Sequence, residues 1–248
     1  MFTDFGFQKV EEKLKSTLVQ GVFSKVATKY DVMNDIMSGG LHRLWKRDFV
    51  GMLPIHDHDH ILDIAGGTGD IAFKIIGEHG YLNPHVTVCD LTPDMVQVGQ
   101  KRAIDRGYVH PLSWSVGNAE SLPFQDNSFD GITISFGLRN CTHIDKVISE
   151  SYRVLKPGGF FYCLEFSKPI LNTLEKIYDI YSFYCIPKMG KIVAGDEASY
   201  QYLIESIRRF PDQESLCQML ISGGFDQTSF KNLSGGIVAI HHGFKPQA

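Results

Sequence analysis

A Rossmann-like α/β fold, with a mostly parallel seven-stranded sheet, an antiparallel edge strand and helical caps, follows from three observations. Short apolar runs alternate with helical patterns from residue 60 to residue 167, a glycine loop follows the first run in LDIAGGTGD (62–70), and Asp90 closes the second run, HVTVCD. Alternating strand and helix signals specify parallel strands joined by crossovers. Clustered glycines let the chain turn sharply after a buried strand and bring backbone N–H groups near a ligand at a helix start. A carboxylate at the next strand tip can accept both hydroxyls of a ribose.

The elements follow in order. HILDIA (60–65) reads as a buried strand, and the glycine loop opens a helix through IAFKIIGEH. HVTVCDL (85–91) is the second strand, after which Thr92, Pro93 and Asp94 supply an N-cap, a first-turn proline and an early negative charge. PLSWSVGN (111–118) alternates as the third strand, and FDGITISFG (129–137) follows the turn-like FQDNS as the fourth. A helix over HIDKVISESYRVLK is expected to end at Pro157-Gly158-Gly159, before the strand FFYCLEFS (160–167). QTSFKNLS and GGIVAIHHGFK, separated by little more than a Gly-Gly turn, predict the antiparallel pair at the sheet edge. Residues 5–50 and the aromatic-rich stretch 171–209 lie outside the alternation, and both read as helical. They are expected to cover the carboxyl ends of the strands as a cap and a lid on one domain spanning 1–248.

With 248 residues and 43% hydrophobic content, the chain can bury one sizeable core. Net charge is −4, from 24 Lys+Arg against 28 Asp+Glu with no long run of one sign, which argues against a nucleic-acid partner. Cys89, Cys141, Cys163, Cys185 and Cys217 form no C-x-x-C pair and read as reduced core residues of a cytosolic protein. No apolar stretch is long enough to span a bilayer, and MFTDFGFQKVEEK has neither a signal-peptide core nor an acid-poor transit character. The expectation is a soluble protein, at most peripheral to a membrane.

Two cofactor classes use such a loop. Gly67, Gly69 and Ala72 fit the dinucleotide pattern G-x-G-x-x-A, which admits a nicotinamide or flavin enzyme. Asp63 and Asp70 bracket the loop; they would repel a pyrophosphate but suit S-adenosylmethionine, whose ammonium and sulfonium outweigh its one carboxylate. Asn118 and Ala119 end the third strand, where a short polar side chain can meet the adenine edge or satisfy its own backbone. Gly66 to Asp70, Asp90 and Asn118 thus form one track across successive strand tips. Ser135, at the end of strand four, could touch the methionine end of the cofactor, and Arg139 and Asn140 would project toward the methyl acceptor. Arginine cannot readily act as a base, so its roles are to stabilise a phenolate and to order a water; a surface salt bridge is the plain alternative. Glu165 and Ser167 either line the acceptor pocket or end their strand. His56 to His60 alternate with acids on an extended loop and cannot all face one ion, so no metal site is expected there. The stretch 176–193, with Tyr178, Tyr181, Phe183 and Tyr184, is either a packed helix, or an apolar acceptor groove or membrane-contacting lid.

YDVMNDIMSGGLHRLW (30–45), NAESLPF (118–124), ISFGLRN (134–140), RVLKPGGFFYCLEFS (153–167) and SYQYLIESIRRFPDQ (199–213) resemble the signatures of the ubiquinone/menaquinone biosynthesis C-methyltransferases. The resemblance runs along nearly the whole chain. It implies the class I methyltransferase fold, with Thr68, Asp90, Asn118, Ala119 and Ser135 contacting S-adenosylmethionine beside Gly66 of the loop. It also implies Arg139 and Asn140 beside the reacting ring, Tyr30 near the cofactor, and no metal. The implied acceptor is a prenylated benzoquinol or demethylmenaquinol, methylated on carbon. A long isoprenoid tail, at about 0.8 kcal/mol per buried CH₂, keeps such a substrate in the bilayer. A bacterial cytoplasmic enzyme peripheral to the inner membrane, forming a homodimer or associating with other enzymes of quinone biosynthesis, is the corresponding expectation. Methylation of oxygen or nitrogen on another apolar acceptor and a non-catalytic scaffold are the competing readings.

Overall fold

The computed structural model describes residues 2–26, 35, 38–108, 110–170 and 197–247. The first elements are a β-hairpin, β1 (Phe2–Phe5) and β2 (Gln8–Glu11), and helices α1 (Glu12–Val26) and α2 (His42–Val50). The hairpin was not expected, because residues 5–50 read as helical throughout. Its tip is set by Gly6 at φ 59° and by the Phe7 N–H, which donates to Glu205 far along the chain. Tertiary contact decides the local structure here.

The alternating core follows as β3 (His60–Ile64), α3 (Asp70–His79), β4 (His85–Asp90), α4 (Pro93–Asp105), β5 (Leu112–Val116), β6 (Phe129–Ser135), α5 (Ile144–Val154) and β7 (Leu155–Phe166). Helices α6 (Glu197–Arg209) and α7 (Gln213–Ser222) and strands β8 (Asp226–Leu233) and β9 (Val238–Phe244) complete it. Thr92 occupies the N-cap position with extended backbone, but its side chain makes no cap hydrogen bond. Helix α5 stops two residues before the expected Lys156. Leu155 is already extended (φ −69°, ψ 138°) and pairs with Phe129, and Pro157 disfavours helix at the residue before it. Lys156 to Gly159 are then looped out as a register shift, and Phe160 resumes pairing opposite Gly131. A lysine rather than a glycine satisfies the helix end: Lys245 Nζ donates to the Tyr152 and Leu155 carbonyls at 2.8 and 2.7 Å.

The sheet order is β5-β4-β3-β6-β7-β9-β8. β3, β4, β5, β6 and β7 pair in parallel, whereas β9 runs antiparallel to both neighbours, so the antiparallel edge is a pair whose reversed member lies one strand in. Side chains alternate across the sheet as the pleat requires. On β7, Phe160, Tyr162, Leu164 and Phe166 join one apolar layer, and Phe161 and Cys163 the other. Strand order reverses about β3 and β6, which places a ligand crevice at their carboxyl ends.

One buried group makes stability depend on pH. His241 on β9 is 1% exposed; its Nε2 donates to the Gln213 carbonyl, and its Nδ1 has no partner among the described residues. Burial pushes its pKa from 6.5 down to about 4. The folded state therefore resists a proton that the unfolded chain takes up below 6.5, so this stability is complete above pH 6.5 and declines as pH falls toward 4. The full shift is worth about 3 kcal/mol. Urea unfolding at pH 7 and pH 4.5 should show the decline in the native protein and a shallower one in His241→Leu.

Candidate active site

The crevice is a cavity of about 320 Å³, lined by residues following β3 (Ala65, Gly67), β4 (Asp90 to Thr92), β5 (Gly117 to Glu120) and β6 (Phe136, Gly137, Asn140). Helix α1 closes one side with Glu12, Ser16, Val19 and Phe23, whose spacing puts them on one helix face. Gln20 fastens that helix by donating to the Leu91 carbonyl at 2.9 Å. The sequence suggested a helical cap over residues 5–50 at the strand ends but singled out none of these four residues, although their three- and four-residue spacing was visible.

The glycine loop is built against the sheet. A Cβ on Gly66 would sit 2.7 Å from both Asp63 Oδ2 and Val88 Cγ1, and Gly69, at φ 82°, starts α3 against the Trp114 ring. Asp90 holds the loop, because its Oδ2 accepts the Gly67 N–H at 2.9 Å and its Oδ1 accepts the Thr92 N–H at 2.8 Å. Burial raises the Asp90 pKa, with those two N–H bonds opposing the shift. Each oxygen keeps a second acceptor direction for a ribose hydroxyl.

Of the residues singled out by sequence, Asp90, Asn118, Ala119 and Asn140 line this cavity. Asn118 Oδ1 already accepts the Glu120 N–H at 2.9 Å, so the local turn that sequence offered as an alternative is present in the same residue that lines the cavity. Gly66 is half-buried and Thr68 buried, neither lining the cavity itself, and the Thr68 hydroxyl accepts from Arg102 at 3.0 Å. Ser135 Oγ is buried without a partner among the described residues, next to cavity-lining Phe136. Tyr30 and the stretch 176–193 lie outside the described residues, as does Cys185. Leu91 and Met95 add apolar walls that sequence reasoning did not single out.

Two expectations need correction. Asp63 and Asp70 do not present free charge to the cavity. Asp63 is buried under the loop, accepts from Thr133 Oγ1, and has its pKa raised by burial to about 7. Asp70 meets Lys46 Nζ at 2.9 Å; burial would raise its pKa, but the ammonium more than offsets this and the net shift is downward. The acidic character of the cavity comes instead from Glu12, Asp90 and Glu120, set against Lys13 and Lys146. Arg139, in turn, makes neither a surface salt bridge nor a contact with this cavity. Its Nη1 donates to Glu165 Oε1 at 2.7 Å and to the Phe136 carbonyl at 2.6 Å, and its guanidinium lies 5.3 Å from the Phe166 ring centre. Glu165 is 0% exposed and serves this arginine rather than lining a pocket. Arg139 lines a second cavity of about 160 Å³ with Lys15, Tyr202 and Arg209, and Cys141 and Thr142 border both cavities. The side chains of His56, His58 and His60 go to Asp59, Asp57 and Thr87 respectively, so they share no centre.

The sequence profile of the ubiE/COQ5 methyltransferase family matches residues 11–245. The chain belongs to this family. It is 50% identical over 98% of its length to a mitochondrial protein of Arabidopsis thaliana named 2-methoxy-6-polyprenyl-1,4-benzoquinol methylase, covering 90% of that protein. It is 51% identical over 97% of its length to a Brucella abortus (strain S19) protein named ubiquinone/menaquinone biosynthesis C-methyltransferase UbiE, again covering 90%. Solved structures show the same fold. The [4+2]-cyclase SpnF matches at TM-score 0.68 with 19% identity, over 94% of this chain and 97% of the cyclase. An S-adenosylmethionine-dependent methyltransferase of Thermotoga maritima matches at 0.62 with 19% identity, over 92% and 99%.

As a ubiE/COQ5 methyltransferase, the protein uses S-adenosylmethionine, and the first cavity fits that donor. A carboxylate stands at the β4 tip, Leu91, Met95 and Ala119 offer apolar walls for a base, and the orphaned Ser135 hydroxyl needs a partner.

Proposed function

We propose that this chain transfers the methyl of S-adenosylmethionine to a ring carbon of a prenylated benzoquinol, of the 2-methoxy-6-polyprenyl-1,4-benzoquinol type, and/or of demethylmenaquinol, in ubiquinone and menaquinone biosynthesis. The observation that carries this reading is identity of about half over nearly the full length of relatives that bear those names. Gly66, Thr68, Asp90, Asn118, Ala119 and Ser135 hold the cofactor in this proposal, and Arg139 and Asn140 serve the acceptor.

Bound in the first cavity, S-adenosylmethionine supplies an electrophilic methyl on sulfonium. The protein's part is alignment, exclusion of water and control of one hydroxyl proton, and orientation alone can be worth about 7–11 kcal/mol. Asp90 fixes the cofactor's ribose while holding the loop beneath it. Asn140 accepts the Tyr202 O–H at 3.2 Å through Oδ1, which leaves its amide N–H groups to donate to a ring oxygen. Arg139, held in place by Glu165, favours the ring hydroxyl as its oxyanion. Only the reduced ring is electron rich enough to attack.

Among the described residues, no helix is long and apolar enough to cross a membrane. The proposal therefore includes a cytoplasmic enzyme that visits the inner-membrane surface to reach its prenylated substrate, alone, as a homodimer or beside other quinone-pathway enzymes. Incubation with trideuteromethyl-labelled S-adenosylmethionine and a chemically reduced, short-tailed demethyl quinol should give a ring C-methyl product by mass spectrometry. The oxidised quinone should give none. A label recovered as a methyl ether, or no product from the quinol, overturns the reading.

A further inference from the structure

Lys15 on α1 is 6% exposed, yet among the described residues its ammonium has one hydrogen bond, to the Cys141 carbonyl at 2.9 Å. No carboxylate among the described residues comes within ion-pair distance of it. A buried ammonium without a counter-ion is destabilising unless an anion completes it. Lys15 lines the second cavity with Tyr202 and with Arg139, whose Nε is buried without a partner among the described residues. The residue it bonds, Cys141, together with Thr142, forms the boundary with the cofactor cavity, one position beyond Asn140.

We propose that Lys15 is a second cationic group of the active site, which with Arg139 binds the ionised ring hydroxyl of the acceptor at the junction of the two cavities. This rests on the quinol reading above. The Lys15 ammonium, beside the Arg139–Glu165 ion pair, gives the site a net positive charge that favours the oxyanion over the hydroxyl and so raises the electron density of the ring carbon that attacks. The hydroxyl proton leaves to water. The ring carbon–methyl bond forms as the sulfur–methyl bond breaks, with the sulfur keeping the bonding pair. The ring carbon then loses its hydrogen as a proton while the oxygen regains one, so one proton is released per turnover.

The groups facing Lys15 leave the role open to it. Asp4 on β1 is engaged by Lys9 at 2.8 Å, and Glu120 accepts the Thr142 N–H at 2.6 Å. Burial pushes the Cys141 thiol up to about 12 and raises the Tyr202 phenol, so both are neutral near pH 7. Arg209 on α6 adds a third positive charge, and Arg139 is balanced by Glu165. Burial also lowers the Lys15 pKa, the response of an ammonium that lacks a counter-ion.

Lys15→Gln keeps a donor for the Cys141 carbonyl but removes the charge, and Lys15→Arg keeps the charge. The expected result for K15Q is a fall in kcat of tenfold or more at pH 7. The limb on which kcat rises with pH should move up by one unit or more, and S-adenosylhomocysteine affinity should stay within twofold. K15R should recover most of the rate, and a ring-halogenated quinol with a more acidic hydroxyl should shrink the K15Q defect. If K15Q keeps the native rate and pH limb, or loses the same fraction of rate on both acceptors with the limb unmoved, Lys15 only pegs α1 and the inference is overturned. Native enzyme that fails to methylate either quinol overturns the acceptor assignment instead, which separates the two failures.

Discussion

Glu165→Met is expected to destabilise the fold by about 3–5 kcal/mol, and Arg139→Met combined with Glu165→Met to restore most of that loss while abolishing methyl transfer. Glu165 sits on β7 at 0% exposure and accepts from Arg139 Nη1 and from the Phe166 N–H. Removing it leaves a largely buried guanidinium without a counter-charge, together with an unmet backbone donor. Removing both partners exchanges the ion pair for two apolar side chains, which commonly leaves stability unchanged or improved. Denaturant unfolding of both single variants and the double variant gives the coupling directly. A folded double variant that binds S-adenosylhomocysteine but transfers no methyl would show that the pair is retained for chemistry. Equal stability of E165M and the native protein would show that Arg139 escapes to solvent when its partner is lost.

The second large effect is expected at Asp90. Asp90→Ala removes the acceptor for the Gly67 and Thr92 N–H groups and the carboxylate that faces the cavity. Hydrogen bonds to a charged group are worth about 1.5–3 kcal/mol each, so loss of one or two that serve the cofactor weakens S-adenosylhomocysteine by about tenfold to about twenty-thousandfold. Asp90→Asn keeps one acceptor oxygen and should fall between the alanine variant and the native protein. Titration calorimetry at constant salt checks the order. An alanine variant with native affinity would remove Asp90 from the cofactor's contacts.

Much of this architecture was legible because each parallel strand carries its own local signal. The apolar runs at 60–64, 85–90 and 129–135 are buried on both faces, and the glycine loop and Asp90 stand at strand ends, where spacing alone locates them. The hairpin at residues 2–11 was not legible, since Glu205 anchors its tip and lies far along the chain. The same limit applied to the charges around the loop. Nothing near Asp70 in sequence announces Lys46, and nothing in LDIA marks Asp63 as sealed beneath Gly66. Arg139 was singled out from its neighbours in SFGLRN, but its direction is set by Glu165, a residue on another strand. Lys15 was not singled out in the sequence; only the fold shows that this ammonium is enclosed.

The place of β9 bears on how the molecule is assembled. β8 precedes it in the chain but reaches the parallel sheet only through it, and α7 packs on both. The five parallel strands can gather from neighbouring strand–helix–strand units as they emerge. The terminal strand pair has no such stepwise route: β8 stays off the sheet until residues 238–244 slide between β7 and β8. Until then β7 and β8 each expose an edge, a template for pairing with another copy. Interruption within 238–244 would therefore affect solubility before it affected the cofactor cavity on the far side of the sheet.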